Sequence, residues 1–372
     1  MLRTALILKF VFNILERTYK VNHFPPHYPM QRAKRAARTH LIYHPNMKAL
    51  VTGGNGFIGS HLVELLFSKQ YSVRCLVRKT SDLTWLKGLN VELVYGDLFD
   101  EDALRDAVKG VDYVYHSAGV TKAKKKVDYY RGNATGTRNL LAATIEHNPT
   151  LRRFVHISSQ TAAGPSPTKT PITEDIPTHP ITTYGKSKWQ AEEECLKVMT
   201  SIPITIVRPP VVYGPRDKDV FEFFNTMSKG LQPMVGFSDK YVSMIHVQDL
   251  IRGFLMAGES EKSIGQTYFI SSKDMYDWKR IGDITRDVIG TSALQIRIPE
   301  FAVYIIAAFA ELLAAFSRKP ALINFEKARD MVQDYWTCDS SKAWKDLGFE
   351  EKISLPEGIR STVEWYKQHD WL

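Results

Sequence analysis

From Met47 onward, short apolar runs alternate with segments whose apolar positions recur every three or four residues. The runs "KALVT", "SVRCLV", "VELVYGD", "VDYVYH" and "RFVHISS" read as strands, and "FIGSHLVELLFSK" and "EDALRDAVKG" as amphipathic helices between them. The same pattern predicts a helix from about Gly132 to His147, another from Tyr184 to about Met199, and a strand at "PITIVRP". Strict alternation of strand and helix calls for right-handed crossovers and a parallel sheet covered on both faces. The expected fold class is therefore α/β, a doubly wound parallel sheet over residues 47–210. Beyond Pro210 the alternation gives way to short elements bounded by Pro and Gly, with a helix near Trp278 to Ile289. Residues 211–372 are expected to form mainly a smaller C-terminal lobe over the carboxyl edge of the sheet, where such folds bind ligands, with segments near 242–272 returning to the first domain.

Charge changes this picture at one end only. The 372 residues carry 49 Lys and Arg against 40 Asp and Glu. Residues 1–46 hold eight of those bases and one acid, Glu16, so the remainder, with 41 bases and 39 acids, is close to neutral. Nucleic-acid binding loses its electrostatic support, and neither zinc-finger spacing nor a basic patch interleaved with aromatics replaces it. The apolar run "ALILKFVFNIL" is interrupted by Lys9 and too short to span a bilayer. This leader reads either as a targeting segment or as lying ahead of a true start at Met47, whose "MKALVTGG" begins directly before the first strand. Cys75, Cys195 and Cys338 are far apart and show no paired spacing, which suits reduced thiols in a cytoplasmic protein.

The first strand runs into "TGGNGFIG", with Gly53, Gly56 and Gly59 at intervals of three before a helix. Strand, glycine turn and helix form the context of a dinucleotide site. Gly53 allows the turn, Gly56 lets a pyrophosphate approach the backbone, and Gly59 lets the helix pack on the sheet while its first amides face the phosphates.

Further motifs follow in order: "GDL" (96–98), "HSAG" (116–119), "NATGTRNLL" (133–141), "HISS" (156–159), "YGKSK" (184–188), "RPPVVYGP" (208–215) and "IHVQDL" (245–250). Together with the glycine turn they resemble the extended short-chain dehydrogenase/reductase superfamily, which includes sugar-nucleotide epimerases, dihydroflavonol reductases and 3β-hydroxysteroid dehydrogenases, over nearly all of 47–372. That resemblance implies a Rossmann-type nicotinamide-binding domain and a substrate-binding C-terminal lobe. Residue by residue it implies that Gly53, Asn55, Gly56, Phe57, Ile58 and Gly59 cradle the cofactor, that Asp97 and Leu98 flank the adenine, and that Ser117, Ala118 and Gly119 line the nicotinamide ribose. His116 is either part of that turn or a strand-end residue that packs. The second strand ends in Arg78 and Lys79 where an NAD-selective site offers a carboxylate, and an arginine can fork onto a 2′-phosphate, so NADP(H) is favoured over NAD(H).

Tyr184 and Lys188 lie four apart, hence on one face of a helix. Hydride transfer to a ketone needs a proton at the oxygen, and a nearby ammonium is expected to lower the pKa of Tyr184, near 10 in free tyrosine, so that it serves as acid and base. Lys188 is also expected to hold the nicotinamide ribose hydroxyls. Ser159 matches the superfamily's serine that hydrogen-bonds the substrate oxygen, with Ser158 as the adjacent alternative. Asn133 matches an asparagine whose role is either catalytic or structural.

Substrate choice rests on two departures and one helix. Val242 and Ser243 stand where sugar-nucleotide enzymes carry a diphosphate-binding arginine, and "QTAAG" follows Ser159 without their tyrosine. "FAVYIIAAFAELLAAF", 301–316, has Glu311 as its only charge and is either buried or turned to a hydrophobic substrate or membrane surface. The expectation is an NAD(P)-dependent oxidoreductase acting on a hydrophobic hydroxyl or keto compound. The alternative is a nucleotide-sugar epimerase or dehydratase that retains its cofactor. A homodimer pairing two helices per subunit is implied by the resemblance, with no membrane span and with peripheral membrane contact left open.

Overall fold

In a computed structural model, the described residues are 47–316, 321 and 323–372. The leader expectation falls on 1–46, outside them. Seven strands build the main sheet: β1 (Lys48–Thr52), β2 (Ser72–Val77), β3 (Glu92–Tyr95), β4 (Tyr113–His116), β5 (Arg153–Ile157), β6 (Ile204–Arg208) and, after an excursion into the small lobe, β10 (Gln266–Phe269). Their order is β10-β6-β5-β4-β1-β2-β3 and every pairing is parallel. The order reverses between β1 and β4, where Ala49 to Thr52 pair with Tyr113 to His116. That switch point is where a doubly wound sheet opens a crevice for a ligand.

Apolar residues cover both faces. Helices Phe57–Ser68 and Val247–Glu259 bury Leu62, Val63, Leu66, Leu250, Ile251 and Phe254 on one side. On the other, Glu101–Val108, Gly136–His147 and Thr183–Val198 contribute Leu104, Val108, Leu140, Leu141 and Cys195. All three cysteines are buried free thiols.

The helix expected from Gly132 begins earlier. Lys126–Tyr130 is helical, passes through a π-helical turn at Arg131–Thr135, and continues as Gly136–His147. Gly132 and Gly136 do not break it. A Cβ at 132 would stand 2.3 Å from Val120 and one at 136 would stand 2.7 Å from Leu98, so these glycines let the helix lie against the loops after β3 and β4.

The small lobe holds a second sheet in which β9 (Tyr241–His246) pairs with β7 (Val211–Tyr213), β11 (Met275–Asp277) and β13 (Tyr335–Trp336), and a parallel pair of β8 (Leu231–Val235) with β12 (Leu294–Ile298). Tyr213, Phe221, Phe224, Leu355, Ile359 and Tyr366 form its core. The lobe is pinned to the first crossover helix: His61 Nε2 lies 2.9 Å from the Pro215 carbonyl, and Arg216 reaches Ser60 Oγ at 3.1 Å and Glu64 at 2.5 Å.

Candidate active site at the sheet switch point

The three glycines differ in what forbids a side chain. Gly53 has φ 72°, and a Cβ there would meet the Ala118 amide nitrogen at 2.8 Å. At Gly59 a Cβ would stand 2.1 Å from the Gly53 carbonyl oxygen, so the helix could not approach the turn. Gly56 is exposed, and a Cβ there would meet only the Gly53 oxygen, at 3.3 Å. It forms the N-cap of the Phe57–Ser68 helix, which has neither a side-chain cap nor an acid in its first turn. The amides at Phe57, Ile58 and Gly59, beside the half-buried Asn55, therefore lack the carboxylate or hydroxyl that usually satisfies them, and this uncapped end with open space above it fits a pyrophosphate.

The crevice extends along the carboxyl edge. Arg78 and Lys79 follow directly on β2 and are exposed. Asp97 accepts from the Phe99 amide at 2.8 Å, Leu98 packs against the Gly136 turn, and Arg131 stacks over Phe99 at 4.6 Å. The Ser117–Gly119 turn is held by Thr52, whose carbonyl accepts from Ser117 N and whose Oγ1 accepts from Ala118 N, each at 3.2 Å. His116 belongs to the core. Its ring bridges Thr52 Oγ1 at 2.7 Å and Thr137 Oγ1 at 2.8 Å, and burial, with Lys188 adding to it, lowers its pKa to about 3. A neutral imidazole there braces the strand end.

Ser159 and Tyr184 meet past the carboxyl end of β5, and Lys188 lies one turn beyond Tyr184 on the Thr183–Val198 helix. Ser159 caps the short helix Gln160–Ala163, and its Oγ accepts from Thr161 N at 3.2 Å and Thr161 Oγ1 at 2.9 Å. Ser158 points the other way, its hydroxyl donating to Glu192, itself locked in a buried pair with Arg208 at 2.6 Å. Only Ser159 of the two faces Tyr184, whose phenol shares a hydrogen bond with it. Lys188 is buried and donates to the Ile157 carbonyl at 2.7 Å.

The electrostatics correct one expectation. Tyr184 is not acidified by Lys188: loss of hydration pushes its phenol up to about 12, the Ser159 hydrogen bond pulls weakly the other way, and Asp219, Asp330 and Tyr129 add to the rise. Burial pushes Lys188 down to about 8 against the opposing pull of Glu192. Asn133, buried in the π turn, accepts from Val120 N at 2.6 Å and donates to Val120 O and to Ser187 Oγ at 2.8 Å. Ser187 in turn donates to the Tyr184 carbonyl. Asn133 thereby ties the Ser117–Gly119 loop to the tyrosine's helix, and the structural alternative accounts for each of these bonds.

The sequence model of the NAD dependent epimerase/dehydratase family matches residues 49–271, well over half of the chain. The chain belongs to that family. It is an NAD(P)-dependent oxidoreductase of the extended short-chain dehydrogenase/reductase type acting on CH–OH or keto groups. A family relative, the ceramide reductase of Caulobacter vibrioides, is 29% identical over 87% of this chain and 95% of its own length. Sterol demethylase protein B of Methylococcus capsulatus is 27% identical over 87% of this chain and 99% of its own. Among solved structures, UDP-glucuronic acid 4-epimerase from Bacillus cereus in complex with NAD superposes with a TM-score of 0.71, at 25% identity over 88% of this chain and 100% of that one.

Within this family framework, two contributors escaped the sequence reading. At Gly185 a Cβ would lie 2.4 Å from the Thr161 carbonyl oxygen, so the absent side chain sets how near Tyr184 comes to Ser159. Asp330 is half-buried near Tyr184 with one oxygen lacking a partner, and burial raises its carboxyl to about 7. The "YGKSK" string held the first signal. Nothing in sequence marked the second, which reaches the site from 146 residues away.

Proposed function

We propose that this protein interconverts a keto and a hydroxyl group on an apolar substrate, using NADP(H) in preference to NAD(H). The observation that carries the reading is the Ser159–Tyr184 hydroxyl pair, set on a crevice that ends at the uncapped helix start of Phe57. When bound, the nicotinamide supplies or accepts the hydride. Tyr184, its phenol raised by burial, carries its proton at neutral pH and can give it to the substrate oxygen in the reductive direction and take it back in the oxidative one. Ser159 steadies that oxygen: its own Oγ already accepts from Thr161, so its proton is what remains to donate. Lys188 spends one proton on Ile157 and keeps others for the ribose hydroxyls. Arg78 and Lys79, exposed at the end of β2, support a 2′-phosphate.

An apolar substrate is supported by the names of the two relatives, a ceramide reductase and a sterol demethylase protein. It is supported also by Val242 and Ser243, both buried within β9 and offering no cation for a diphosphate. Ile145 and Leu196, exposed on the helices flanking the site, support pairing with a second copy, and three reduced thiols support a cytoplasmic location. Among the described residues no helix is long and apolar enough to cross a membrane. The test is a panel of long-chain ketones, keto-sterols and UDP-sugars given to the full chain with NADPH or NADH. Loss of nicotinamide absorbance with an apolar ketone, faster with NADPH, is expected. Conversion of a UDP-sugar with no net change in the nicotinamide would overturn the proposal in favour of an epimerase.

A further inference from the structure

The Glu300–Ala315 helix has two apolar faces. Val303, Ile306, Ala307, Ala310 and Ala314 are buried, the first three against Ile298 and Ala328. Phe301, Ile305, Phe309, Leu312 and Phe316 are exposed by 68%, 50%, 57%, 58% and 83%. At about 100° per residue these five side chains fall within an arc of roughly 80°, opposite the buried set. Glu300 and Glu311 lie well to one side of that arc on the same geometry. Such a face on a soluble enzyme asks for an occupant.

The neighbouring loop says which one. "TKAKKKV", 121–127, carries four lysines and no acid, and all four are exposed. Lys124 Nζ donates to the Ala314 carbonyl at 3.0 Å, which fixes this run at the C-terminal end of the apolar helix. Lys122 pairs with Asp219 and Lys126 lies 3.9 Å from Glu326. The run also borders the active site, because Lys126–Tyr130 carries Tyr129, whose ring is 6.4 Å from that of Tyr184. A stripe of large apolar side chains rimmed by lysines has the composition of an interfacial helix on anionic lipid.

We propose that the exposed face of the Glu300–Ala315 helix, together with Lys122, Lys124, Lys125 and Lys126, seats this protein on an anionic lipid surface with the mouth of the active site beside the membrane. The placement needs no particular substrate and stands apart from the reading of the catalytic pair. The test is sedimentation of the full chain with vesicles of phosphatidylcholine alone or of equal parts phosphatidylcholine and phosphatidylglycerol. Binding is expected to the mixed vesicles and to be much weaker with phosphatidylcholine alone. Lys124→Gln with Lys125→Gln should weaken it about 30-fold, at about fivefold per lysine near the surface. Phe309→Glu with Leu312→Glu should reduce it to background while leaving the melting temperature and size unchanged; Ile305→Gln serves if that pair fails to fold. Equal binding of wild type and stripe variants, which would assign any membrane affinity to the leader, overturns the proposal. So does conversion of a wild-type dimer to monomer by the stripe variants with vesicle binding intact.

Discussion

Replacing Gly185 by alanine tests whether the gap between the Thr183–Val198 helix and the Ser159 turn governs turnover. The added carbon would stand 2.4 Å from the Thr161 oxygen and 3.1 Å from its carbonyl carbon, where an ordinary contact begins at 3.4 Å. Both atoms are backbone, so relief requires the helix and the turn to part by about 1 Å, because a close-packed interior offers no slack. Overpacking of this kind costs roughly 1–3 kcal/mol, and the better helix propensity of alanine returns about 1 kcal/mol. The fold should therefore survive, with a melting temperature lower by a few degrees. Separating Tyr184 from Ser159 by that distance should cost about a hundredfold in rate, equivalent to about 2.7 kcal/mol of barrier. The assay is kcat with the best ketone from the substrate panel, read beside a thermal melt and a nicotinamide-fluorescence binding curve. A folded variant that turns over near the wild-type rate would refute the claim that this gap sets catalysis, as would a loss of activity no greater than the loss of folded protein.

Three further outcomes are expected. Tyr184→Phe should abolish turnover while leaving cofactor affinity nearly intact, since the phenol oxygen alone is removed; retained turnover in stopped-flow would remove Tyr184 as the proton donor. Arg78→Asp should reverse the ratio of kcat/KM for NADPH over NADH, by tenfold or more for a lost charge-assisted fork of about 1.5–3 kcal/mol, and an unchanged ratio would free Arg78 of that role. Asp330 holds its proton up to about pH 7 in the folded protein but releases it near 3.8 when unfolded, so its contribution to stability declines as pH rises between those values. Asp330→Asn should flatten that decline in a series of melts, and an unaltered slope would show that the carboxyl does not titrate as described.

The large sheet and its first crossover were readable because the β1-to-β6 strands are short, mainly apolar runs set between helical repeats and the glycine spacing has few alternatives. The start of the helix at Lys126 was not, because "KKKVDYYRG" shows no apolar repeat and Gly132 imitates a break; its actual job, a close approach to Val120, exists only in three dimensions. The motif match preferred Ser159 but left Ser158 beside it as an alternative, and the buried Glu192–Arg208 pair, which claims Ser158, separates them in the structure. The shift of Tyr184 followed its surroundings rather than its partner four residues on, since spacing along a helix says nothing of hydration. For 301–316, the run of apolar residues without a repeat could not show that one face of the helix is buried and the other exposed.

The path of the backbone between the lobes has a consequence for how the protein is made and dissected. After Arg208 the chain leaves the large sheet for β7, β8 and β9, returns to add β10 at one margin, departs at Met275, and comes back again with Ala343 and Phe349 against the first core. No single cleavage point divides it into halves that could be expressed apart. On the ribosome, β6 stays an open margin until 266–269 has been synthesised, so a stall within that interval would leave a sticky strand edge exposed.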